Sequence, residues 1–187
     1  MTSIFSAFGL SASAGLNAYI PLLITALLAK FTTLIELGEP WDALTSWWTI
    51  GILLFLGTIE FVADKIPAVD HINDIIQTIF RPAAGAILFA ASTNVITNMH
   101  PVLSLILGLF TAGSVHAVKS LAIRPAVTAT TGGLGDAPVS LLEDIIAATV
   151  SVLAIVIPVV VACLLIIVTS LVVMRIYSKG KKKRASS

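Results

Sequence analysis

The stretch VSLLEDIIAATVSVLAIVIPVVVACLLIIVTSLVVMRIY, Val139–Tyr177, decides the fold. Its only charges are two acids near the start and one arginine near the end. As one helix rising 1.5 Å per residue it would reach nearly twice the roughly 30 Å of a bilayer's hydrocarbon core. Pro158, near its middle, cannot donate to the helical ladder and divides it. The reading is two spans, 139–157 and 159–176. A single tilted helix that protrudes, or a fifth segment that re-enters on the same side, are the alternatives.

Working outward, four more apolar stretches are long enough to read as spans: 4–29, 47–63, 82–96 and 101–123. The 187-residue chain is 57% hydrophobic and 11% charged. A soluble domain carries about 25% charged residues, and the mean hydropathy of +1.03 points the same way. The expectation is an all-α integral membrane protein with about six transmembrane helices. Residues 1–178 form one polytopic membrane domain, and 179–187 a basic cytoplasmic tail. The single cysteine, Cys163, lies in an apolar run, so cysteines build neither a disulfide framework nor a zinc site. The first fifteen residues lack a basic n-region and do not read as a cleaved signal peptide.

Basic residues orient the bundle. With six spans and both termini cytoplasmic, Lys65, Arg81, Lys119, Arg124, Arg175 and the tail residues Lys179, Lys181, Lys182, Lys183 and Arg184 fall inside. Lys30 alone falls outside, and this asymmetry fits the positive-inside rule for a multi-pass protein of the inner (plasma) membrane. Trp41, Trp47 and Trp48 then belong to the outer interface. The tail attracts anionic lipid at roughly 1 kcal/mol per basic residue.

Between the second and third spans, Ile66, Val69, Ile72, Ile75, Ile76, Ile79 and Phe80 recur at helical spacing, with Asp70, His71, Asn73, Asp74, Gln77 and Thr78 opposite. That is an amphipathic helix, lying on the cytoplasmic interface or packing against the bundle. Three spans followed by three suggest two inverted repeats. Laying 8–29 on 107–128 matches glycines and leucines and sets Asn17 against His116.

Several residues are out of place in lipid. Ser11-Ala12-Ser13-Ala14-Gly15 is followed by Asn17 and Pro21. Pro21 leaves the carbonyl four residues back, on Asn17, without its donor. A broken helix at that depth needs protein or a water-filled cavity around it. Asn17 and Pro21 are therefore candidate substrate-binding residues, with His116 beside them; close helix packing through small residues is the bland alternative. Glu60 and Asp64 lie one helical turn apart on one face. A carboxyl at membrane depth is costly to keep charged, so Glu60, with Asp64 or Asp144, is a candidate proton carrier. Salt bridges to Lys65, Arg81, Lys119 or Arg124 explain the same acids without function. Arg81 and Arg124 each precede a proline and a small residue. Proline favours the first helical position, helix N-termini bind anions, and a guanidinium forks onto phosphate or carboxylate. The two corners are candidate anion sites, or topology anchors paired with acids. Ser140-Leu141-Leu142-Glu143 fits a capping box. Gly133-Leu134-Gly135-Asp136 resembles the GxGD signature of intramembrane aspartyl proteases, but no partnering Tyr-Asp pair occurs in a span. No catalytic constellation, metal site or cofactor motif is recognised.

Four blocks in order, Gly15-Leu16-Asn17-Ala18-Tyr19-Ile20-Pro21, Phe61-Val62-Ala63-Asp64-Lys65-Ile66-Pro67, Phe80-Arg81-Pro82-Ala83-Ala84-Gly85-Ala86 and Ser140-Leu141-Leu142-Glu143-Asp144, resemble the bacterial membrane family catalogued as domain of unknown function 4126. The resemblance runs over nearly the whole chain and implies a small polytopic membrane protein. It implies no activity.

The functional expectation is a small transporter or lipid translocase for an anionic amphiphile or small anion, coupled to protons. A membrane scaffold or assembly factor is the alternative. The bilayer is the expected partner, nucleic acid is not, and a homodimer is plausible because six helices are few to enclose a pathway.

Overall fold

In the computed structural model, residues 4–64, 67–93, 99–158, 163–164, 166–171 and 173–175 are described; of 67–72 and 74 only the backbone course is. Helices dominate, and among the described residues there is no strand. The helices are α1 (Ile4–Leu16), α2 (Tyr19–Phe31), α3 (Trp47–Ala63), α4 (Pro67–Thr93), α5 (Pro101–Val118), α6 (Arg124–Thr131) and α7 (Asp136–Val156). A 3-10 turn, Trp41–Thr45, precedes α3, and a π-turn, Lys119–Ile123, joins α5 to α6. Ile75–Thr93, Pro101–Thr131 and Asp136–Val156 are each long and apolar enough to cross a bilayer.

The burial pattern is inverted relative to a soluble protein. Trp48, Phe55, Phe110 and Leu142 are exposed, whereas Glu60, Arg81, Lys119 and Ser140 are buried. Polar groups in lipid must find partners inside the protein, so they collect in the bundle interior while apolar side chains face outward.

Small residues hold the centre together. At the α4–α5 crossing, a Cβ on Gly85 would overlap Ala112, and one on Gly108 would overlap the Gly85 carbonyl. Gly15 brings α1 to the same place, where a Cβ would stand 2.5 Å from the Ala112 carbonyl. The Ser11 hydroxyl donates to the Gly85 carbonyl at 2.7 Å, and Ser13 donates to the Ala147 carbonyl of α7 at 2.7 Å. Such close approach gives lipid-embedded helices their packing energy, since apolar side chains gain little by leaving lipid for protein.

The first apolar stretch is not one helix. Phe8 stacks edge-on against Phe89, Ser11 bonds Gly85 and Leu16 bonds Lys119, so α1 descends beside α5 and antiparallel to α4. The chain then breaks at Asn17–Ala18, and α2 climbs back beside α3: Tyr19 faces Gly57, Phe31 meets the Trp47 ring, and Lys30 donates to the Thr45 carbonyl. Ile4 and Phe31 thus lie at the same end of the bundle. Each arm has 13 residues, about 20 Å by helical rise, short of the roughly 30 Å core. The pair is a helical hairpin with its tip inside the bundle. Composition could not separate a hairpin of two apolar arms from one kinked span. Pro21 is the third residue of α2, where an amide has no intrahelical acceptor and proline is tolerated.

Other expectations are also corrected. Residues 67–93 form one helix through Pro82, so the amphipathic segment and the third span are a single element, with Asn73 and Gln77 buried against the bundle. Pro82 is therefore interior to a helix. Pro125 follows a π-turn whose flanking residues are all right-handed helical, so neither proline opens a free helix N-terminus. The α1 and α5 helices run in the same direction, opposite to what an inverted repeat pairing 8–29 with 107–128 requires. The capping box does not form, because α7 begins at Asp136 and Ser140 already lies in its second turn. The chain does break at Ile157, before Pro158. Asp70, His71, Asp74, Lys65 and the basic tail lie outside the residues whose side chains are described.

Candidate functional site

Beneath the hairpin tip lies a buried polar network built from α3, α4, α5, α6 and α7. Arg81, 0% exposed, donates through Nη2 to Glu60 Oε1 at 3.0 Å. Its Nη1 lies 3.3 Å from His116 Nδ1. A guanidinium can only donate, so Nδ1 accepts. The imidazole proton then sits on Nε2, 3.1 Å from the Thr78 hydroxyl. The residues that join α3, α4 and α5 here are thus a carboxylate, a guanidinium and a neutral imidazole.

A second group lies towards the end of the bundle where α3 finishes and α7 starts. Asp64 accepts from Asn73 Nδ2 at 2.6 Å and from the Ser140 hydroxyl at 2.8 Å, with Arg124 Nη2 at 3.7 Å. Arg124 also meets Glu143 Oε2 at 3.4 Å, and Lys119 Nζ reaches the same oxygen at 2.7 Å. Nearby, the Thr128 hydroxyl donates to Asp136 at 3.0 Å, tying α6 to the first residue of α7.

The hairpin tip is held at both of its helix ends. Lys119 Nζ donates to the Leu16 carbonyl at 3.1 Å, placing a cation at the negative end of α1. Asn17 Oδ1 accepts from the amides of Tyr19 and Ile20, each at 3.0 Å, and so caps α2. The other end of the same side chain donates to Asp144 Oδ1 at 2.9 Å. One asparagine therefore closes the turn and docks it on α7.

Beside this tip, between α2 and α3, is a cavity of about 210 Å³. Asn17, Tyr19, Thr58 and Asp144 are its polar lining residues, and Ile20, Leu23, Leu53 and Phe61 are among its apolar ones. Its mouth opens by Leu54, Thr58 and Phe61, on the exposed face of α3.

The candidate site residues fall into separate contact groups around this region. Glu60, Arg81 and His116 form one contact group, Asp64 and Arg124 a second, and Asn17 and Asp144 a third; Pro21 is buried in the first turn of α2. The two arginines form ion pairs, and neither lines the cavity. The sequence offers Lys119 among the basic partners of the buried acids and Glu143 among the acids able to pair with the arginines, and the structure pairs both Lys119 and Arg124 with Glu143; the bond from Ser140 to Asp64 it does not signal. For Lys119 the signal is a lysine inside the apolar run before Ile123, since such a charge in lipid needs a partner. Among the described residues no group of His, Cys, Asp and Glu gathers to hold a metal.

Fold and site together describe a helical protein with three helices long and apolar enough to cross a membrane, organised around a helical hairpin and a buried ion-pair network. The chain belongs to the family described as domain of unknown function (DUF4126), whose model matches residues 4–178. No curated protein and no solved structure matches it.

Proposed function

We propose that the protein is a small proton-coupled transporter or lipid translocase of the plasma membrane, with the hairpin tip as the element that opens and closes. The observation that carries this reading is the junction of a broken helix, a cavity and a buried ionisable network in one place. Half-helix ends inside a bilayer are a recurrent way of building transport sites. Intramembrane carboxylates paired across helices are a recurrent way of carrying protons. Glu60 is the carrier in this scheme, released from Arg81 when it takes a proton; Asp64 and Asp144 complete the route. The anion role expected of Arg81 and Arg124 has less support, because an anion would have to displace Glu60, Asp64 or Glu143.

In the membrane, α3, α4, α5–α6 and α7 would cross, and the hairpin would enter from outside. The positive-inside rule then puts the ion network towards the cytoplasmic side and the start of α1 outside.

Solid-supported-membrane recordings on proteoliposomes, with panels of organic anions, amines and phosphate esters, test the transport reading. The expected result is a saturable current whose pH dependence disappears in Glu60→Gln while the folded protein is retained. PH dependence unchanged in that variant would remove Glu60 from the route. The small-residue crossing at Gly15, Gly85 and Gly108 favours a second reading, a packing scaffold. Silence across all panels with folded protein would favour it.

A further inference from the structure

The cavity between α2 and α3 has a chemistry of its own, different from that of the arginine pairs. Its floor carries the Asp144 carboxylate, buried and bonded to Asn17, and no lysine or arginine is among its lining residues. Its walls are mostly apolar, with Tyr19 and Thr58 among them, and its mouth lies on a face of α3 whose neighbouring side chains, Leu54, Phe55 and Phe61, are exposed. In a bilayer that mouth faces acyl chains. Among the described residues, Arg81, Lys119 and Arg124 each form an ion pair with another carboxylate, Glu60, Glu143 and Asp64 respectively. An anion entering here would meet a carboxylate in a low-dielectric setting, where like charges repel strongly. A neutral chain would leave the polar floor with an apolar neighbour.

We propose that this cavity binds the ammonium head of a single-chain amine, with the cation against the Asp144 carboxylate and the alkyl chain along Ile20, Leu23, Leu53 and Phe61 towards the lipid. At roughly 30 Å³ per water-sized group, a cavity of about 210 Å³ holds on the order of seven heavy atoms. That matches an ammonium with a short chain; a longer chain would continue through the mouth. The amide of Asn17 can orient the head through its bond to Asp144, and occupation would load the tether that holds the hairpin tip. This deepens the transport reading by naming what its cavity takes, and rests on it only for the claim that the occupant moves.

The test uses the full-length protein in nanodiscs, titrated with hexylamine, hexanoate and hexanol, with binding read as the shift in unfolding temperature. Hexylamine should raise the unfolding temperature saturably and bind roughly tenfold or more tighter than hexanol, equivalent to ~1.4 kcal/mol; hexanoate should not bind. The hexylamine shift should vanish in Asp144→Asn. Leu54→Trp, a substitution at an exposed mouth residue that leaves all charges in place, should weaken it, and this variant carries the test if Asp144→Asn does not fold. Equal shifts for the three probes, no shift with hexylamine, or an undiminished shift in the folded variants would overturn the proposal. Binding is measured without a gradient, so its failure leaves the Glu60 transport test standing. Silent transport recordings, conversely, leave the binding result intact.

Discussion

Arg81 stands at the most demanding position in the molecule: fully buried, with Glu60 on one nitrogen and His116 on another. Removing one member of a buried pair leaves the other charge stranded, which typically costs about 3–5 kcal/mol, whereas removing both is far milder. Arg81→Ala should therefore lower stability by several times more than the double variant Glu60→Gln/Arg81→Gln, as measured by chemical unfolding in detergent. Additive losses would show that the two side chains are not coupled. Lys119 differs, because it serves both Glu143 and the Leu16 carbonyl. Lys119→Met should loosen the hairpin tip as well as α7, seen as faster amide hydrogen exchange at Leu16–Ile20 than in wild type. Equal exchange would separate the lysine from the tip.

At the scale of elements, the α1–α4–α5 crossing depends on missing side chains. A Cβ at Gly108 overlaps Gly85 and crowds Phe89, while one at Gly51 meets nothing within 4 Å. Gly108→Leu should disrupt the bundle, read as aggregation on size-exclusion chromatography, and Gly51→Ala should be close to neutral. The hairpin makes a sharper claim. In a Cys163→Ser background, single cysteines at Ile4 and Leu34 should react with a membrane-impermeant maleimide from the same side of the membrane. Labelling from opposite sides would restore a single span and remove the re-entrant tip. Sequence reading marked this region correctly as broken and small-residue-rich. It placed the irregularity at Pro21, because proline is the visible helix breaker, whereas the turn is made by Asn17 through bonds to Tyr19, Ile20 and Asp144.

For the whole molecule, an apolar exterior around a charged interior fits a bilayer as the folding environment. The protein should stay with membranes through alkaline carbonate extraction, and release into the supernatant would contradict the membrane reading. What the sequence by itself determined is the class: helical, with stretches apolar enough to cross a membrane, and with Asn17, Glu60, Asp64, Arg81, His116, Arg124 and Asp144 as residues too polar for such stretches. Hydropathy and charge report this because they depend on the energy of each residue in lipid, which needs no knowledge of neighbours. Only the tertiary structure decided which way α1 and α2 run, that 67–93 is one helix, and who pairs with whom. Those outcomes depend on contacts between residues far apart in the chain, such as Ser140 with Asp64 and Lys119 with Leu16. A carboxylate reads the same in sequence whether it caps its own helix or, like Glu143, closes a salt bridge to another; direction in space is a property of the packed bundle.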